Sequence, residues 1–159
     1  MIRHNYMKKE IPLLLQEKDY TCGPACIRMV AAYYGIRRTE HYFEKIMNTT
    51  DTKGTHTANM QEGARSMGLD SYARTHVSIR EIQNSILSGF IPIVLYFYVP
   101  EKEGHYAIVK KISRGRIFFI DPYAGANHSY SIRYFLKIWH GAHERKKKWS
   151  LFVRKESSA

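Results

Sequence analysis

Four residues of this 159-residue chain have the types and placement that amide cleavage by a thiol requires: Gln16, Cys22, His105 and Asp121. A thiol attacks only as the thiolate, and the unpaired N–H groups of a helix N-terminus favour that negative charge. In "QEKDYTCGPAC", Cys22 stands at an expected helix start, followed by Gly23, which leaves the backbone uncovered, and Pro24, which suits a first turn. The thiol also needs a base, and the base needs a group to hold its ring. His105 opens "HYAIVKKIS" directly after the turn-prone "EKEG", and Asp121 closes "RIFFID". If these segments pair as a hairpin, the start of one lies beside the end of the other, so His105 and Asp121 become cross-strand neighbours. A carboxylate there can hold one imidazole nitrogen while the other faces the thiol. Gln16, six positions before Cys22, could donate a side-chain N–H that joins the backbone N–H of Cys22 in stabilising an oxyanion.

Each residue also has a plainer role. A strand-start histidine can be structural, an Asp-Pro pair can be only a turn, and a loop glutamine can be solvated. The weight comes from four elements in compatible order. Cys26 lies one turn deeper in an apolar helix and is expected to be a small core residue. Two cysteines a turn apart on one helix have poor disulfide geometry and do not match the redox Cys-x-x-Cys spacing. Zinc would want about four ligands in close pairs, which Cys22, Cys26 and the scattered histidines do not supply, so neither metal nor other cofactor is expected. His41, His56, His76, His128, His140 and His143 show no partner pattern and are expected at the surface, although His56 beside Thr55 could face the cleft.

The elements that must position these groups divide into two textures. "CGPACIRMVAAYY" reads as a helix apolar nearly all round, closed by Gly35 and central to the fold. Thr39 to Met47 and Thr57 to Met67 read as further helices, and Ser78 caps a fourth that ends at Gly89. From there "IPIVLYFYV", "HYAIVKKIS" and "RIFFIDP" are rich in β-branched and aromatic residues and read as a strand meander. "IRYFLKIWH" is a helix candidate and "KWSLFVRK" a last strand. The expectation is an α+β fold in one domain over residues 1–159, with helices to about residue 89 and an antiparallel sheet over about 90–155.

Composition limits the function classes. The longest apolar stretch, "FIPIVLYFYVP", is interrupted by Pro92 and falls short of the ~20 residues that cross a bilayer. The N-terminus lacks a small-residue cleavage site, so the chain is expected in the cytoplasm. Lys and Arg number 25 against 14 Asp and Glu, a net charge of +11, with a dense cluster "ERKKKW" at 144–149. Such a surplus could attract nucleic acid, an anionic membrane or an acidic peptide; the plainer expectation is a solvated basic face, with nucleic acid not the expected partner.

With these positions in hand, the sequence resembles the papain-like cysteine peptidases. Within them it is similar to the bacteriocin-processing peptidases that cut double-glycine leader peptides, and to their free-standing relatives. "LLLQEKDYTCGPACIRMVAAYYG" carries the Gln, Cys-Gly and Tyr-Tyr-Gly segment, "GHYAIVKKI" the histidine strand and "FFIDPYAG" the Asp-Pro turn. The resemblance implies a papain-like fold, a nucleophile at Cys22, a base at His105, an orienting acid at Asp121 and an oxyanion donor at Gln16. It also implies an acyl-enzyme, a peptide or protein substrate, and a separate transporter as partner, since the chain carries neither transmembrane helices nor an ATP-binding loop. The spacing from Cys22 to His105, 105 − 22 = 83, fits the compact branch better than the plant enzymes. The alternative is a non-catalytic module of the same fold that holds a peptide or leader in its groove.

Overall fold

The computed structural model describes residues 9–142 and 147–156. It shows an α+β fold of the papain-like kind. Among the described residues there are five helices and six strands, all strand pairings antiparallel. Helix α1, Cys22–Tyr33, buries eight of its residues, as its nearly continuous apolar surface demands. Helices α2, Glu40–Ile46, and α3, Thr57–Ser66, pack beside it. Helix α4, Ile79–Leu87, begins with a reciprocal capping box. Ser78 Oγ accepts from the Glu81 N–H, and the Glu81 side chain accepts from the Ser78 N–H. None of the helices among the described residues is long and apolar enough to cross a membrane.

The sheet runs in the order β1-β6-β2-β3-β4-β5. Strands β2, Ile91–Tyr98, β3, Glu103–Ser113, β4, Arg116–Asp121, and β5, Gly125–Ser131, form the expected meander, with β5 as an edge strand that the sequence reading left unassigned. Two departures concern the rest. Leu69–Arg74, inside the expected helical half, is a strand, β1, and β6, Ser150–Lys155, inserts between β1 and β2. Both faces of the sheet are covered. On one, Ile93, Leu95, Tyr106, Ile108 and Leu151 pack against α1 through Cys26, Met29 and Val30. On the other, Val94, Tyr96, Ala107, Phe119 and Phe152 pack against α4 and against α5, Ile132–Ile138, through Ile82 and Phe135.

A bulge in β3 decides which face His105 presents. Near the β3–β4 turn the register is Ser113↔Arg116 and Lys111↔Phe118, but beyond the bulge it is Val109↔Phe119 and Ile108↔Ile120. Lys110 is the extra residue. Asp121 shares the α5 face with Ile117 and Phe119 by simple alternation along β4. Regular alternation from Ile112, which packs on that same face, would put His105 on the α1 face; the extra residue turns His105, with Ala107 and Val109, onto the face of Asp121.

Candidate functional site

The end of the β3–β4 hairpin brings His105 and Asp121 together, as diagonal rather than directly opposed neighbours. His105 Nε2 lies 2.8 Å from Asp121 Oδ1, with the histidine side chain 12% exposed and the aspartate fully buried. Asp121 Oδ1 also accepts the backbone N–H groups of Tyr123 and Ala124 at 2.8 and 3.0 Å, the turn that Pro122 starts. Its Oδ2 accepts the hydroxyl of Tyr96 at 2.7 Å. Four donors therefore surround one buried carboxylate, as burial of a charge requires.

With Nε2 committed to Asp121, Nδ1 is the ring nitrogen left for the thiol of Cys22. Burial works against a charge on His105. Hydrogen bonding to Asp121, then to Cys22, outweighs it and lifts the imidazole from 6.5 to about 10. Burial likewise works against the Asp121 carboxylate, but hydrogen bonds from His105, Ala124 and Tyr96 hold it down at about 2. Near neutral pH the pair is an imidazolium and a carboxylate.

Cys22 is the first residue of α1, and no side chain caps the helix there. The Thr21 hydroxyl turns back instead to donate to the Lys18 carbonyl at 2.9 Å. Tight packing explains Gly23: a Cβ there would lie 2.7 Å from Thr55 Oγ1 and 2.9 Å from Met60 Sδ. Thr55 is itself fixed, its carbonyl accepting the Tyr106 hydroxyl at 2.8 Å and its Oγ1 lying 2.7 Å from Thr49 Oγ1. The start of α1, and Cys22 with it, is thus seated directly on the 49–55 loop.

Gln16 reaches the same neighbourhood by its backbone. Its N–H donates to the Pro122 carbonyl at 2.8 Å, tying the entry loop to the Asp121 turn. Its side chain points elsewhere. Nε2 donates to the carbonyls of Lys18 and Asp19 at 2.8 and 3.2 Å, while Oε1 is enclosed without a hydrogen-bond partner among the described residues. To serve as an oxyanion donor the amide must let go of one of those carbonyls.

Four residues of the site were not anticipated from sequence. Tyr96 lies directly opposite His105 in the β2–β3 register. The turn 99–102 and the need of a buried tyrosine hydroxyl for a partner carry that signal. Tyr98 and Tyr123 set their rings 6.2 and 6.5 Å from the His105 ring and 6.1 Å from each other. Glu40, 1% exposed, accepts the Glu17 N–H on both carboxylate oxygens at 3.2 and 3.0 Å. Burial above all pushes its carboxyl up from the usual range, opposed by Thr21 and the Glu17 N–H.

The remaining histidines and cysteine are also placed. Cys26 is a free thiol wholly inside the core, where burial first, then the nearby Cys22, pushes it well up. His56 caps α3, its Nδ1 accepting the Ala58 N–H, and His41 and His76 are exposed. His128 and His140 correct the surface expectation: His128 packs against Phe119 and Tyr130 with its Nε2 enclosed, and His140 stacks on Phe97. His143 and residues 144–146 of the basic cluster lie outside the described residues; Lys147 is exposed and Trp149 buried.

Comparison with known proteins agrees with this architecture. The family described as the peptidase C39 family matches residues 10–143. The lactococcin-G-processing and transport ATP-binding protein LagD of Lactococcus lactis subsp. lactis is 27% identical over 135 residues; the match covers 85% of this chain and 18% of LagD, so the chain spans about a fifth of that relative. A putative C39-like peptidase from Bacillus anthracis superposes with a TM-score of 0.75 at 12% identity, over 95% of this chain and 98% of that one. A double-glycine-motif protease from an AMS/PCAT transporter, solved in complex with a leader peptide, superposes with a TM-score of 0.69 at 19% identity, over 92% and 94% of the two chains.

Proposed function

Because the chain belongs to the peptidase C39 family, we propose that it is a cysteine peptidase that cuts a leader or propeptide, with Cys22 as nucleophile, His105 as general acid and base, and Asp121 holding the ring. The observation that carries this reading is the imidazole of His105 fixed at 2.8 Å by a buried carboxylate and interacting on its other side with Cys22. In the proposed cycle the Cys22 thiolate attacks the peptide carbonyl carbon. The C–N bond breaks as the His105 imidazolium gives its proton to the leaving amine, and an acyl-enzyme remains. Neutral His105 then takes a proton from water, the resulting hydroxide attacks the thioester, and the acid product leaves with the thiolate and imidazolium restored. The backbone N–H of Cys22, with the Gln16 amide turned away from Lys18 or Asp19, faces the oxyanion in each half.

The double-glycine relative solved with its leader peptide, and LagD with its processing and transport role, support a leader peptide as substrate class and a transporter as partner. The test is turnover of peptides bearing a double-glycine leader by the native protein, by Cys22→Ala and by iodoacetamide-treated protein. Full activity in Cys22→Ala removes the proposal. One observation favours the alternative of a non-catalytic leader-binding module: both donors of the Gln16 amide are occupied by loop carbonyls. That module predicts saturable leader binding, no turnover and no selective alkylation of Cys22.

A further inference from the structure

The charge surplus is not spread evenly. Between Glu103 and Glu144 the only acidic residue is Asp121, which is buried at the site, while Lys110, Lys111, Arg114, Arg116, Arg133 and Lys137 all lie in this stretch and are all exposed. The fold brings three of them, Arg114, Arg116 and Arg133, to one end of the sheet. Arg114 and Arg116 flank Gly115 at the β3–β4 turn. The Gly115 carbonyl accepts the Ile132 N–H at 2.9 Å, which brings the start of α5 and its Arg133 to the same turn. The Arg116 guanidinium donates to Ser129 Oγ on β5 at 3.0 Å, while Lys111, over the Phe118 ring at 4.8 Å, lies on the opposite, α1-side face of the sheet. Among the described residues none of these six cations forms an ion pair, whereas Lys18, Arg28, Arg65, Arg74 and Arg154 elsewhere all do. Basic side chains packed together without counter-ions repel one another, and that repulsion is relieved when an anionic surface covers them.

Helix α5 adds an apolar component. Phe135 and Ile138 face the core, and the exposed positions alternate chemistry: Arg133, Tyr134, Leu136, Lys137, with Tyr134 and Leu136 39% and 43% exposed. A phosphate backbone gains nothing from an exposed leucine, but a lipid headgroup layer accommodates aliphatic and tyrosine side chains held between cations. This end of the sheet is also remote from the site. His105 and Ser113 stand eight residues apart on β3, roughly 25 Å along an extended strand.

We propose that the β3–β4 turn and the exposed face of α5 form a docking surface for an anionic lipid bilayer. The proposal does not depend on the peptidase reading. The experiment is co-sedimentation of the full chain with vesicles of phosphatidylcholine alone and of phosphatidylcholine and phosphatidylglycerol in equal parts, across a salt series. Binding is expected only to the anionic vesicles and weakens as salt rises. Each cation near the surface is worth about fivefold in partition, so Arg114→Glu with Arg133→Glu and Lys137→Glu should reduce binding by more than about 100-fold while leaving the thermal unfolding transition and any peptide turnover intact. Tyr134→Ser with Leu136→Ser should remove the part of the binding that persists at high salt. Equal sedimentation with both vesicle types overturns the proposal, as does undiminished binding by the triple variant. Retention of a DNA duplex without vesicle binding would assign the surface to nucleic acid instead and equally overturn it.

Discussion

The hydroxyl of Tyr96 donates to the one carboxylate oxygen of Asp121 that does not touch His105, at 2.7 Å and out of contact with solvent. Tyr96 thereby fixes the rotation of the carboxylate, and through it the plane in which the His105 ring is held. In Tyr96→Phe the buried Asp121 Oδ2 loses its donor, which costs about 1–3 kcal/mol. Thermal or denaturant unfolding should show that loss, and kcat should fall while KM changes little.

The pH behaviour follows from the two shifted groups. A histidine raised from 6.5 to about 10 contributes stability that is complete below pH 6.5 and lost as pH rises through about 10. An aspartate lowered from 3.8 to about 2 contributes stability that is complete above pH 3.8 and lost as pH falls through about 2. Both contributions are whole only between those unfolded-state values, so the pair's stabilisation peaks at mildly acidic pH. In Asp121→Asn the alkaline limb of the kcat/KM profile, set by loss of the imidazolium proton, should move down toward the ordinary imidazole range. An unmoved limb would mean that Asp121 does not hold that proton in place.

Gly23→Ala tests the seating of α1. The added methyl would overlap Thr55 Oγ1, which is not the free end of a long side chain, so the helix start must move. Overpacking of this kind costs about 1–3 kcal/mol. The larger effect should be on turnover, because a shift of the first turn carries Cys22 away from His105. The rate of iodoacetamide labelling at Cys22 checks this directly.

Glu40 holds the loop between Gln16 and Cys22 by the Glu17 N–H. Glu40→Gln keeps an acceptor oxygen for that N–H and should retain most activity. Glu40→Ala keeps none and should lower kcat roughly tenfold, about 1.4 kcal/mol. Equal activity in the two variants would show that the loop holds its form without this contact.

Gln16→Ala separates the two attachments of Gln16. Its backbone N–H to Pro122 survives the change, so the loop should stay in place while any oxyanion donation is lost, at about 10²–10³ in kcat. A variant with native kcat would leave the oxyanion to the Cys22 backbone alone.

What could be read from the sequence follows the strength of the local signals. The apolar run after Cys22, the Ser78 cap and the β-branched segments from Ile91 onward each state one conformation, and the structure places them accordingly. Strands β1 and β5 were missed because "LDSYAR" and "GANHSYS" are edge strands of mixed polarity whose partners are supplied by the fold. The hairpin that joins His105 to Asp121 was evident from the turn between them. The bulge at Lys110 was not, since an extra residue in a strand leaves no mark on composition, yet it determines the face on which His105 emerges. Glu40 was invisible for a different reason: its charge suggests solvent, and only the packing of α2 against the entry loop buries it.

The position of β6 bears on how the chain comes to be folded. Among the described residues β1 pairs with β6 alone, and β6 is contributed by residues 150–155. During synthesis the helices and the hairpin bearing His105 and Asp121 emerge first, while Leu69–Arg74 waits with both edges unsatisfied. The sheet closes only when that late segment threads between two strands made long before it. A nascent chain halted before residue 150 would therefore hold its reactive groups on a half-built platform.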